Sequence, residues 1–171
     1  MDDNERRRLV DQHGRFPGVL EHLVDVTDTQ LLRTRETEAR WSPLEILAHL
    51  ADEEIEDFRP RAQAAAAGKP VPWAIDPQAW VAARAYNEKD PHDVLQAFAS
   101  EREVSCAWLR QLPLEQFDAA LVHPQLGRMR CGDFVAAWRM HDLLHLRQLA
   151  TTLAVLTSRT RAAWPPPGKI V

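Results

Sequence analysis

The sequence predicts an all-α fold, a four-helix bundle, on three observations. Apolar residues recur at helical spacing in four long stretches. Breaks marked by proline and glycine separate those stretches, and none of them alternates apolar and polar residues as a half-buried strand does. Apolar residues make up 45% of the 171 positions, enough to build the core of one domain of this length.

The first helix is expected from about Asn4 to Val26. Leu9, Phe16, Val19, Leu20 and Leu23 form its apolar stripe, and Gly14, Pro17 and Gly18 place a break within it. Thr27 to Arg40 is a polar connection with room for a helical turn. The second helix has the clearest start. Ser42 suits the N-cap, Pro43 the first helical position, and Glu45, three residues after the cap, the far side of a capping box. This helix should bend at Pro60 and run to about Ala67, where Gly68-Lys69-Pro70 stops it. Its apolar face is Leu44, Leu47, Ala48, Ala51, Ile55 and Phe58.

Residues 68–90 read as a long packed loop with one helical turn near Ala79 to Arg84. The loop is long enough to cross over the bundle. Asp90 as cap and Pro91 then open a third helix that ends near Gln111, before Pro113, with Val94, Leu95, Phe98, Val104, Trp108 and Leu109 as its apolar contacts. A second loop, Leu112 to Gly132, has a short extended turn around Gly127. The fourth helix is expected from about Asp133 to Leu156. It is apolar nearly all round, which predicts that it is the most buried of the four. The whole chain, 1–171, is expected to be a single domain with its core at 5–156. Its last segment, 157–171, contains Trp164-Pro165-Pro166-Pro167 and should lie extended.

Composition narrows the functional classes. A formal net charge of −4 gives no electrostatic footprint for nucleic acid. The start, MDDNERRRLV, lacks the apolar region of a signal peptide, and no apolar run approaches the roughly 20 residues that span a bilayer. A cytoplasmic protein without nucleic-acid or membrane partners is therefore expected. Cys106 and Cys131 are too few and too far apart for a disulfide framework. Cys131 sits near the start of the fourth helix, where the dipole favours a thiolate, although a structural role is the simpler reading for both thiols. Arg6, Arg7 and Arg8 read as a solvated helix end.

Histidines carry the sharper signal. His141 and His145, four apart on the fourth helix, project from one face and can converge on one ion with bonds of about 2.1 Å. At 100° per residue, Phe134, Trp138, His141, His145, Gln148 and Thr152 share one stripe. His49 on the second helix, beside Glu45, Asp52, Glu53 and Glu56, is the candidate third ligand. Read alone, it is better taken as a surface histidine on a solvated acidic face, and only the pair on the fourth helix gives it another use. Glu53, Trp138 and Gln148 are candidates to support or line such a site, Glu53 as a base or as partner to a ligand ring. The di-iron pattern is absent, because no histidine follows a glutamate by three residues. His141-Asp142-Leu143-Leu144-His145 resembles the zincin HExxH, but with a shorter acid and no downstream histidine, which argues against a protease.

Taken together, these segments resemble the DinB/YfiT-like family of metal-binding helical bundles. The resemblance is carried by Trp41-Ser42-Pro43-Leu44-Glu45-Ile46-Leu47-Ala48-His49-Leu50-Ala51-Asp52-Glu53-Glu54 and by His141-Asp142-Leu143-Leu144-His145-Leu146-Arg147-Gln148. Tyr86-Asn87 through Asp90-Pro91, Arg102 and His123-Pro124-Gln125-Leu126-Gly127 also match, so the likeness covers about residues 5–156. It implies a four-helix bundle with a crossover connection and one divalent ion, nickel or zinc, on His49, His141 and His145. It further implies a homodimer, a small-molecule substrate and, in some relatives, a low-molecular-weight thiol as cosubstrate. The function expected from residues and resemblance together is a metal-dependent enzyme that activates a small thiol or water, of S-transferase or hydrolase type. The alternatives are a non-catalytic metal or small-molecule binding protein on the same bundle, and a helical interaction module whose histidines are incidental.

Overall fold

Four helical columns build the structure, a computed structural model that describes residues 2–70, 75–123 and 126–159. The first column is α1 (Asp3–Gly14) followed by α2 (Phe16–Asp25). Asp2 and Glu5 close a capping box at the start of α1, and Pro17 stands in the first turn of α2. The break falls at Arg15, inside the glycine–proline cluster. α3 (Thr29–Arg33), capped by Asp28, is the helical turn of the polar connection.

The second column opens at α4 (Pro43–Glu53). Ser42 Oγ accepts the Glu45 backbone N–H at 3.2 Å, and Glu45 Oε2 accepts the Ser42 N–H at 2.7 Å. A π-helical turn, Glu54–Phe58, follows and leads into α5 (Arg59–Ala67), which ends on Gly68 in the left-handed region at φ 62°. Proline cannot donate to the carbonyl four residues back, and its ring crowds the preceding turn. The bend expected at Pro60 is therefore taken up just upstream, as a widened turn rather than a kink.

In the following segment α6 (Pro77–Ala83) supplies the anticipated helical turn, and a 3₁₀ turn covers Tyr86–Glu88. This segment braces both ends of α4. Tyr86 is fully buried and donates to Asp52. Asn87 Oδ1 accepts from Ser42 Oγ at 2.7 Å, and its amide donates to the Arg33 carbonyl at 2.8 Å.

α7 (Pro91–Gln111) has the bounds that Asp90, Pro91 and Pro113 set. α8 (Leu114–Asp118) leads to a short hairpin, β1 (Ala120–His123) antiparallel to β2 (Gly127–Arg130), with Leu121 opposite Met129. The extended turn around Gly127 is thus a two-stranded ribbon. The fourth column, α9 (Cys131–Arg159), runs three residues beyond its expected end, so the start of the anticipated extended tail is helical. The proline run of the tail and Pro124-Gln125 lie outside the described residues.

α9 is not the most buried helix. It leaves Met140 (59%), Leu143 (53%) and Leu144 (45%) exposed, whereas ten of the eleven residues of α4 are buried. α4 lies between α7 and α9 and is covered on both sides, while α9 presents one face outward. Val19, Ile55 and Val104, expected in the core, are also exposed. Arg6 is tied down rather than solvated, donating to the Leu112 carbonyl at 2.6 Å. Both cysteines are free and buried. Burial pushes the Cys106 thiol up to about 11 and the Cys131 thiol up to about 12, outweighing any dipole effect at the start of α9. Among the described residues no helix is long and apolar enough to cross a membrane.

Candidate metal centre

α4 and α9 run side by side, and their facing sides carry the histidines. The capping box and Asn87 hold the start of α4, Tyr86 holds Asp52 in its last turn, and His49 lies between them on the second turn. The four-residue spacing on α9 stacks His141 and His145 on one face. One ring nitrogen from each of the three histidines lies within 4.8 Å of the others, and Nε2 of His141 is 3.0 Å from Nε2 of His145. Four donors bonded at about 2.1 Å around a tetrahedral ion sit about 3.4 Å apart. The widest separation thus needs to close by about 1.4 Å, and the His141–His145 pair to open by about 0.4 Å, to take an ion.

The donor chemistry fits as well. Burial first, then the neighbouring imidazoles, hold His49 and His141 down to about 3, and burial also lowers His145. All three rings are neutral near pH 7, the form that ligates. His145 Nδ1 donates to Gln148 Oε1 at 2.8 Å, which fixes its tautomer and leaves Nε2 as the free lone pair. His49 Nδ1 is buried without a hydrogen-bond partner, so that ring is held by packing, with the Trp41 ring 4.9 Å away.

Glu53 belongs to the same cluster. Its Oε1 lies 3.6 Å from His49 Nε2, its Oε2 lies 3.6 Å from His141 Nε2, and it is only 4% exposed. Desolvation, then the nearby Asp57, raises its carboxyl to about 8. The solvated acidic face read from the sequence is therefore a buried one, since Glu45, His49 and Glu53 are all covered by packing partners of α4. Asp52 and Glu56 are paired with Arg84 farther round the helix.

Trp138 does not line the histidine cluster. It is 1% exposed, stacks on Phe58 at 5.7 Å and donates through Nε1 to Glu54 at 3.1 Å. Phe58 meets the cluster instead, 4.9 Å from the His141 ring, as Trp41 does at His49. Asp142 is turned away from the histidines. It takes a bidentate pair from Arg102 (2.7 and 2.9 Å), and Arg102 also binds Glu54 through Nε. Arg102, Asp142, Glu54 and His13 thus form a fully buried polar core behind the site. Sequence reading missed this core apart from Arg102. Its members are scattered over four elements, and no local pattern ties them together. His123 lies in the hairpin, outside the cluster.

Comparison with known proteins adds three findings. A sequence model of the DinB superfamily matches residues 12–149. No curated protein sequence matches. Among solved structures, the chain is similar to YfiT from Bacillus subtilis, described as a probable metal-dependent hydrolase with an unusual four-helix bundle topology. The likeness has a TM-score of 0.72 and 20% identity and covers 88% of each chain.

Proposed function

The chain belongs to the DinB superfamily, and from that premise we propose that it is a metal-dependent enzyme acting on a small-molecule substrate, with His49, His141 and His145 holding one divalent ion, nickel or zinc. One observation carries this reading: three neutral imidazoles from two helices place their nitrogens within 4.8 Å of one another. Bound by three neutral ligands, such an ion keeps its double charge and an open position, and it supplies Lewis-acid activation of water or of a small thiol.

The remaining roles fall to the chain's own side chains. Gln148 orients His145 by accepting its Nδ1–H. Glu53, 3.6 Å from two of the ring nitrogens and kept largely protonated near neutral pH by its burial, is placed to give a proton from its carboxyl to a leaving group. Trp41 and Phe58 wall the cluster on two sides and limit the approach of water to its open face. Water as nucleophile gives hydrolysis, and a thiol gives S-transfer. The description of YfiT as a hydrolase favours water.

The test is metal content by mass spectrometry on protein purified without a histidine tag, as wild type and as His145→Ala. The expected result is one divalent ion per chain in the wild type and none in the variant. No ion in either overturns the reading. On loaded protein, Glu53→Gln should retain the ion and lower turnover of an ester or thiol-transfer substrate by about 10²–10⁴-fold.

A further inference from the structure

One side chain behind the histidine cluster joins all four helical columns. Arg102, on α7, is 1% exposed. Its Nε donates to Glu54 in the π-helical turn. Its Nη1 and Nη2 donate to the two carboxylate oxygens of Asp142 on α9, at 2.7 and 2.9 Å. Nη1 also donates to the backbone carbonyl of His13 in α1 at 3.1 Å. Glu54 is held from two further sides, since Ser105 Oγ donates to its Oε2 at 2.9 Å and Trp138 Nε1 to its Oε1 at 3.1 Å.

Two of these partners adjoin the cluster in sequence. Glu54 follows Glu53, whose carboxyl lies against His49 and His141, and Asp142 follows His141. The column that bears His49 and the helix that bears His141 and His145 thus each carry a carboxylate held by Arg102. Apolar packing resists the sliding of such a pair only weakly, because burial is non-directional. A guanidinium is planar and directional, and it fixes both carboxylates against one plane. A buried ion cluster contributes little net stability over apolar packing of the same volume, since desolvation offsets the attraction. What it adds here is direction. The ring nitrogens, within 4.8 Å of one another, must settle to a spacing of about 3.4 Å, and a metal site tolerates only about 0.5 Å of misplacement.

Resting on the three-histidine metal reading, we propose that Arg102 is a positioning residue for the ion. It acts through Glu54 and Asp142. By fixing the spacing and rotation of α9 against the His49 column, it sets the affinity and the coordination geometry at His49, His141 and His145. Two substitutions loosen this hold while keeping most of the chemistry in place. Arg102→Lys keeps the charge but replaces the planar fork by a point charge. Asp142→Asn keeps the shape of the side chain but leaves one acceptor oxygen for two donors.

The experiment titrates full-length protein, stripped of metal, with zinc against a chromophoric chelator and with cobalt(II) followed by its visible spectrum. The proteins are wild type, Arg102→Lys, Asp142→Asn and Leu121→Ala, each checked for folding by circular dichroism. Leu121→Ala is the control, because it loosens a separate apolar cluster at the hairpin without touching the guanidinium. The expected result is one ion in the wild type, affinity lower by about tenfold or more in Arg102→Lys and Asp142→Asn, and cobalt bands that change in position and intensity in both. Leu121→Ala should match the wild type in affinity and spectrum. Should Arg102→Lys not fold, Asp142→Asn decides. Wild-type affinity and bands in the folded variants overturn the proposal and leave the metal reading standing. Equal weakening in Leu121→Ala also overturns it, since general loosening then accounts for the effect. A wild type that takes up no ion defeats the metal reading itself, and the proposal with it.

Discussion

His13 offers a sharp quantitative test of the buried core. Desolvation, then the charges of Arg102 and Arg139, holds its ring down to about 2, against 6.5 in an unfolded chain. A lowered histidine contributes stability that is complete well above 6.5 and is lost as the pH falls, because the unfolded chain takes up a proton that the folded chain refuses. Between pH 7.5 and 5.5 the unfolded ring goes from mostly neutral to about nine-tenths protonated, while the folded ring stays neutral. Integrated over that window, this one group costs the fold about 1.3 kcal/mol. Glu54 acts in the opposite direction, since burial raises its carboxyl to about 7 and favours the fold as pH drops. Comparison with His13→Gln isolates the histidine, because Glu54 is present in both proteins and glutamine keeps an acceptor for Arg102. Urea unfolding in chloride buffers at the two pH values should show the wild type losing about 1.3 kcal/mol more than the variant on acidification. Equal pH dependence in the two proteins would refute the claim that His13 is buried and neutral.

Two further outcomes follow from the cluster and the core behind it. Gln148→Ala removes the acceptor that sets the His145 tautomer, so affinity for a divalent ion, measured by competition with a chelator, should fall about 10–100-fold without loss of the fold. An unchanged affinity would show that Gln148 does not position the ring. Arg102→Met strands two buried carboxylates, Glu54 and Asp142, and should cost about 3–5 kcal/mol in urea unfolding. A cost below about 1 kcal/mol would mean that both carboxylates take up protons in the variant.

The sequence alone determined the helices and two faces of the site. Ser42-Pro43 with Glu45, and Asp90-Pro91 with Pro113, set helix ends through local hydrogen bonds and fixed φ angles, and the structure has those ends. The spacing of His141 and His145 put both rings on one face, because helix geometry is periodic. Gln148 lay within reach of His145 for the same reason. Pairing of these rings with His49 came from resemblance, since nothing local ties residue 49 to residue 141. Only tertiary structure decided which helix is buried. α4 carries Glu45, His49 and Glu53 among its apolar residues and would pass for a helix with a wet side, yet neighbours cover it on both sides. The Arg102–Asp142–Glu54–His13 core was beyond reach for a related reason. Its four residues come from four elements, and a polar residue shows itself as buried only when the charges that offset its desolvation arrive from elsewhere in the chain.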